Sequence, residues 1–176
     1  MKRLKLFAPL LVFVALSVLF WRGLQLDPEY MPSALVDRPV PAFSLPALHG
    51  DKLIDSAALV DGITLVNVWA TWCPACHVEH PYLNQLSERG VRIVGLNYKD
   101  DADAARQWLQ QRGDPYRFSI FDADGMLGLD FGVTGAPETY LVDTQGIIRF
   151  RYQGPLSERV WEQHFKPLIA RLEQES

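Results

Sequence analysis

The longest apolar run of the chain stands at its beginning. Lys2, Arg3 and Lys5 precede "LFAPLLVFVALSVLFW", residues 6–21, interrupted only by Pro9 and Ser17. Positive residues ahead of an apolar helix direct the following chain out of the cytoplasm. Ala15 and Ser17 make a poor cleavage site because apolar residues continue past them, so the run reads as an uncleaved anchor. Its residues rise roughly 24 Å as a helix, short of a hydrocarbon core of about 30 Å. Leu24 and Leu26 therefore extend the expected anchor to residues 6–26, with Arg22 at the interface and residues 1–5 in the cytoplasm. The alternative is an ordinary buried helix. Residues 27–41, "DPEYMPSALVDRPVP", hold four prolines and no period, which reads as a linker over 27–40 with a folded domain over 41–176.

Within that domain the pattern alternates between strands and helices. "AFSLPALHGDKLIDSAAL" predicts a short hairpin turning at His49-Gly50-Asp51. "ITLVNVWA" (63–70) is a β-branched run of buried-strand length, and a helix follows it with Val78, Tyr82, Leu83 and Leu86 at helical spacing, ending at Gly90. Pro74 suits its first turn, whereas Pro81 predicts a kink. "VRIVGLNY" (91–98) predicts a strand, 101–113 a helix and "RFSIFD" (117–122) a strand. A short helix in "DGMLGLDFGV", a hairpin turning between Asp143 and Gly146, and an amphipathic helix over 156–174 complete the pattern. Strand, helix, strand, helix, strand indicates an α/β fold with parallel pairing.

Charge and cysteines narrow the chemistry. Four of the 17 basic residues lie within residues 1–22 and all 21 acidic residues follow, so the remainder sets thirteen basic against 21 acidic groups, a net −8. Such a surface repels nucleic acid and anionic membranes and favours neutral or basic protein partners. Of 176 residues only two are cysteines, both in "TWCPACH" (71–77), so no disulfide framework holds the fold.

That stretch has two spellings. Cys73-Pro74-Ala75-Cys76-His77 matches a c-type haem attachment site, and C-x-x-C beside a βαβ unit matches a dithiol redox centre. Cys73 falls where a strand gives way to a helix, and there free N–H groups and the helix dipole stabilise a thiolate. Cys76, one turn on, is near enough to close a disulfide and expected to be more sheltered. A haem would need His77 as axial ligand and a second ligand from Met126, His49, His80 or His164, none in a supporting context. Zinc would lack two of its four ligands. The dithiol reading is preferred, with no metal or organic cofactor required. A peroxiredoxin pattern, P-x-x-x-[TS]-x-x-C, is absent because Val66 and Ala70 occupy its places. In "GVTGAPETYLVD" (132–143), Pro137 follows a short helix and precedes a strand, the place of a substrate-pairing cis proline or of a plain turn.

"VNVWATWCPACHVEHPYLNQL" together with "GVTGAPETYLVDTQGIIRFRYQGPL" resembles the membrane-anchored thioredoxin-like proteins of cytochrome c maturation, the CcmG or DsbE thiol:disulfide interchange family. The resemblance runs from about Lys5 to Leu168. It implies a thioredoxin-like α/β fold with a central mixed sheet flanked by helices behind one transmembrane helix. It also implies a bacterial inner-membrane protein whose catalytic domain is periplasmic. Such a protein takes electrons from a membrane thiol transducer of the DsbD type and passes them to apocytochrome c or a haem-ligation component. Cys73 would attack, Cys76 resolve, and Pro137 be the cis proline, with Trp72, Pro74 and Ala136 beside the substrate. The family's acidic residues fall on Glu79 and Glu138. A carboxylate one turn beyond Cys76 can exchange a proton with it, though Glu79 also fits a solvated helix position and Glu138 an exposed strand start. Asn67, polar inside an apolar strand, suggests either a satisfied core amide or a partner in moving proton handling to Glu79. Trp69 reads as core. His77 reads as a partly exposed first-turn residue that affects local charge. The residues alone leave direction open, and a general oxidant remains the rival to a reductant.

Overall fold

The strand "TLVNVW" supplies the axis of the fold, because both of its faces are covered. The computed structural model describes residues 2–23, 35–50 and 52–175, with side chains over 9–22, 35–50 and 52–174. It divides into two units, Met1–Tyr30 and Met31–Ser176.

The first unit carries helix α1, Lys2–Gly23, whose described apolar side chains are exposed from Leu10 to Trp21. Among the described residues no helix is long and apolar enough to cross a membrane. The expected anchor over 6–26 falls partly outside the described residues, and residues 27–34 of the linker expected over 27–40 lie wholly outside them. Residues 35–40, assigned by composition to that linker, pair with the domain instead: Asp37 N–H donates to Ile148 O (2.7 Å) and Val40 N–H to Gly146 O (2.8 Å). Prolines obscured this because they remove donors without preventing neighbouring residues from pairing.

In the second unit a small hairpin, β1 (Ser44–Pro46) and β2 (Leu53–Asp55), precedes a 3-10 turn over Ser56–Leu59. Asp51, at its expected turn, lies outside the described residues. The main sheet contains β3 (Thr64–Trp69), β4 (Ile93–Tyr98), β5 (Ser119–Asp122), β6 (Glu138–Val142) and β7 (Ile148–Gln153) in the order β5-β4-β3-β6-β7. β3, β4 and β5 are parallel, and β6 and β7 antiparallel, so the sheet is mixed. Leu48 N–H donates to Ser119 O (2.8 Å), covering the β5 edge.

Helices α2 (Pro74–Glu88) and α3 (Ala102–Arg112) follow β3 and β4, and α4 (Met126–Asp130) follows β5. The strand period of two sends Leu65, Asn67 and Trp69 to one face of β3, and Val66 and Val68 to the other. The first face packs with Leu83 and Leu86 of α2, Trp108 and Leu109 of α3, and Phe165; the second packs with Leu127 and Phe131. Pro81 lies inside α2, which runs as one helix from Pro74 to Glu88.

The C-terminal helix departs from expectation. It runs as α5 (Glu158–Val160), a π turn over Trp161–Phe165, and α6 (Lys166–Glu175). Pro167 offers no N–H, and its ring would strike the carbonyl four residues back. The wider turn, in which Lys166 N–H reaches Trp161 O, makes room while Trp161 and Phe165 stay buried.

Gly95 lies inside β4, where a Cβ would sit 2.8 Å from Trp69 Nε1, 2.5 Å from Ser119 Oγ and 3.1 Å from Tyr116 Cδ2. The hydroxyl can rotate away, but the indole is fixed by stacking on Trp108 (5.1 Å between centroids) and Tyr116 (5.5 Å). Gly95→Ala is therefore expected to destabilise the domain by about 1–3 kcal/mol, the usual penalty of overpacking. A lowered urea midpoint at unchanged slope checks this; an unchanged midpoint would refute the packing argument.

Candidate active site

The active-site turn leaves β3, buried throughout, at Trp69 and enters α2 at Pro74, so its position is set by the central strand and the helix packed on it. Cys73 is the N-cap of α2, in extended conformation (φ −92°, ψ 106°), and its sulfur accepts the N–H of Cys76 at 3.1 Å. A thiolate there meets a helix-terminal donor and the positive end of the dipole. The Cys73–Cys76 disulfide is closed, with Cα atoms 5.3 Å apart. Both cysteines are 2% exposed, so Cys76 is not the more sheltered of the two in this state. Their difference lies in position on the helix rather than in burial. Around them Trp72 is 53% exposed and Pro74 is exposed, while Ala136 packs against the cluster that contains both sulfurs. The Ala136–Pro137 bond is cis.

Glu79 follows Cys76 by three residues, which places both on one helical face. It is not a solvated carboxylate, being 1% exposed and turned toward β3. Asn67 Nδ2 donates to Glu79 Oε1 (3.0 Å), and Leu156 N–H donates to Oε2 (2.7 Å). Burial outweighs these two donors and raises the Glu79 pKa from 4.5 to about 8. Asn67 also donates to Thr139 Oγ1 (3.1 Å) and accepts from the Tyr116 hydroxyl (2.9 Å). The amide is thus both a satisfied core group and the support of the carboxylate.

Glu138 is also buried, and it begins β6 immediately after the cis proline. Arg151 Nη2 stands 2.8 Å from Oε2, with the two side chains 8% and 2% exposed. Glu138 Oε1 further accepts from the Thr134 N–H (2.9 Å) and hydroxyl (2.8 Å), and Oε2 from the Tyr140 hydroxyl (2.8 Å). Arg151 Nη2 also donates to Gly132 O (2.8 Å). Glu138 therefore holds the 132–137 loop, and the expectation of an exposed strand start is corrected. Burial and the neighbouring Glu138 both push the Tyr140 phenol upward.

His77 reaches back along the turn, its Nε2 2.9 Å from Thr71 O, and its ring lies 5.4 Å from that of Trp108. His80, which the haem reading held in reserve, is buried with Nε2 2.9 Å from Gly113 O, and burial lowers its pKa. Among the described residues no group of three His, Cys, Asp or Glu side chains is placed to hold a metal ion. Sequence reasoning missed Tyr116, Thr139, Arg151, Thr71 and Asp100. Only Arg151 left a signal, as a second arginine in the alternation of "RFRY".

Comparison with known proteins agrees with this geometry. The Redoxin family model matches residues 35–165. The chain is 53% identical over 170 residues to the thiol:disulfide interchange protein DsbE of Yersinia pestis, covering 93% of this chain and 90% of that one. It is 51% identical to DsbE of Pseudomonas aeruginosa (98% and 96% covered) and 49% identical to DsbE of Escherichia coli K12 (100% and 99%). Among solved structures, a thiol:disulfide interchange protein of the thioredoxin family from Chlorobium tepidum matches with a TM-score of 0.63 at 24% identity, covering 79% of this chain and 99% of that one. A secreted disulfide oxidoreductase of Mycobacterium tuberculosis matches with a TM-score of 0.60 at 22% identity (75% and 95%). These two likenesses establish the thioredoxin-like fold.

Arg151→Gln leaves the Glu138 carboxylate buried without its cation. Breaking such a pair is expected to lower unfolding free energy by about 3–5 kcal/mol, measured by urea denaturation. Raised amide hydrogen exchange confined first to residues 132–137 is the accompanying sign, and uniform exchange across the domain would argue against a local role.

Proposed function

The chain belongs to the DsbE family of thiol:disulfide interchange proteins, and from that premise we propose that it is a periplasmic, membrane-tethered reductant of cytochrome c maturation. Its chemistry is thiol:disulfide exchange. In the proposed direction, a membrane thiol transducer of the DsbD type reduces Cys73–Cys76, and apocytochrome c or a haem-ligation component receives the electrons. Lys2, Arg3 and Lys5 followed by an apolar run support the tether, since a helix apolar on all sides needs apolar surroundings. The observation that carries the reading is Cys73 at the N-cap of α2, accepting the Cys76 N–H, with a buried Glu79 one turn below.

The exchange proceeds in two displacements. Cys73 thiolate attacks one sulfur of the partner disulfide, making a mixed disulfide and releasing the other partner sulfur as thiolate. Cys76 then loses its proton, attacks the Cys73 sulfur and expels the second partner thiolate. Two electrons have moved to the partner, and Cys73–Cys76 is closed. Glu79 is the base for the second step: with a pKa of about 8, close to that of an ordinary thiol, its ionised fraction takes the Cys76 proton in a nearly level transfer. Ala136, packed against the cluster that contains both sulfurs, and the cis Pro137 offer backbone to an extended partner segment, and Trp72 and Pro74 form the exposed rim.

Cys76→Ser is expected to trap a mixed disulfide through Cys73 when the full chain is expressed in the periplasm during cytochrome c production. Mass spectrometry should identify the captured partners as apocytochrome c or a haem-ligation protein. Capture of unrelated oxidised proteins alone would instead mark a general oxidoreductase.

Glu79→Gln is expected to slow resolution of the mixed disulfide by roughly a hundredfold, the lower range of general-base catalysis. It should also remove a stability slope. In the folded oxidised protein Glu79 keeps its proton up to about pH 8, whereas the unfolded carboxyl loses it near 4.5. The wild-type protein therefore loses stability as pH rises from about 4.5 to 8. Urea midpoints across that window should fall less steeply for Glu79→Gln; parallel profiles would exclude a buried, protonated Glu79.

A further inference from the structure

Thr71 stands in the short turn between β3 and Cys73, and all three of its polar groups are engaged. Its N–H donates to Asp100 Oδ2 (2.7 Å), its hydroxyl to Asp100 Oδ1 (2.6 Å), and its carbonyl accepts from His77 Nε2 (2.9 Å). A carbonyl only accepts, so His77 carries a proton on Nε2. Asp100 also accepts from Asn97 Nδ2 at Oδ2 (2.9 Å) and from Asp101 N–H at Oδ1 (2.9 Å). An ionised carboxylate can receive four donors on two oxygens; an amide, with one oxygen and its own N–H groups, cannot.

The neighbouring residue is fixed from the same segment. Trp72 Nε1 donates to Lys99 O (2.9 Å), and Lys99 has φ 49°, a left-handed conformation that residues other than glycine rarely adopt. Cys73 N–H closes the turn on Ala70 O (3.2 Å). The connection after β4 therefore grips the turn from one side, and His77 grips it from the first turn of α2. None of these contacts involves a sulfur atom, so none depends on whether the disulfide is closed.

We propose that Asp100, together with His77, is a positioning residue for disulfide exchange: acting through Thr71, it holds the Cys73 sulfur on the end of α2 when the disulfide opens. The helix-terminal N–H groups then remain aimed at the thiolate instead of being lost as the turn relaxes. This assignment rests on Cys73 being the attacking sulfur. It gives Asp100 an effect opposite to that of its charge, because a bare carboxylate near a thiolate would disfavour the anion.

That opposition supplies the test. The reduced full-length chain is alkylated with iodoacetamide across a pH series, and the Cys73 and Cys76 peptides are followed separately by mass spectrometry. Thr71→Val and Asp100→Asn are both expected to raise the Cys73 pKa and to slow its alkylation at neutral pH about three- to tenfold, the influence a helix terminus exerts on an anion. Because they break one linkage, the double variant should be no slower than either single one. Thr71→Ser, which keeps the hydroxyl, should restore the rate, and decides the question with Thr71→Val if Asp100→Asn does not fold. A lowered pKa and faster alkylation in Asp100→Asn, unchanged rates in both variants, or additive effects would each overturn the positioning role. Alkylation of Cys76 before Cys73 in the wild-type chain would instead overturn the underlying assignment of the attacking sulfur, and the proposal with it.

Discussion

The hydrogen bond from Asn67 to Glu79 is the contact on which the arrangement beneath the disulfide depends. A carboxyl group beside a closed core can be kept only if its oxygens are satisfied, and only donors within the fold can do so. Asn67 supplies one from the middle of the sheet, and the backbone of Leu156 supplies the other. Asn67 in turn needs Tyr116 for its oxygen and Thr139 for its second N–H. One amide thus fixes α2 against β3, β6 and the segment leading into β5. The same satisfaction does not ionise the group, because two neutral donors fall short of the desolvation that burial imposes.

Glu138 shows what changes when a cation is added. It is as deeply buried as Glu79, yet Arg151 stands opposite it and both its oxygens are crowded with donors. One carboxyl group is left without a counter-charge and holds its proton up to about pH 8. The other is bound into an ion pair and becomes a structural tie for the loop that carries the cis proline. The two glutamates therefore differ through their neighbours, not through their own chemistry.

The β-branched runs of the main sheet and the helices between them were legible because period and composition reported burial directly. So was the place of Cys73, since a strand running into a helix leaves only one residue at the cap. The surroundings of that cap were much less legible. Glu79 lies on a helix whose polar residues outnumber its buried ones, and nothing local distinguishes a carboxylate facing a sheet from one facing water. Asn67 was visible as an anomaly, but its partner Tyr116 lies 49 positions away, and Leu156, the partner of Glu79, lies 77 positions from that residue. Asp100 reads as one acidic residue in "KDDAD", and only the crossover from β4 brings it beneath Thr71. The π turn likewise follows from Pro167 meeting a core that needs both Trp161 and Phe165, a conflict between local and tertiary demands that periodicity alone does not record.

The histidine of Cys-Pro-Ala-Cys-His has a partner of its own within the fold. Here the sulfurs are joined to each other, and His77 Nε2 is directed at the carbonyl of Thr71. The ring bridges the first turn of α2 to the loop that precedes Cys73, and it rests against Trp108 of the core. A residue that could have served a metal thus serves the backbone. The contact therefore fixes the loop that precedes the attacking sulfur to the helix that follows it.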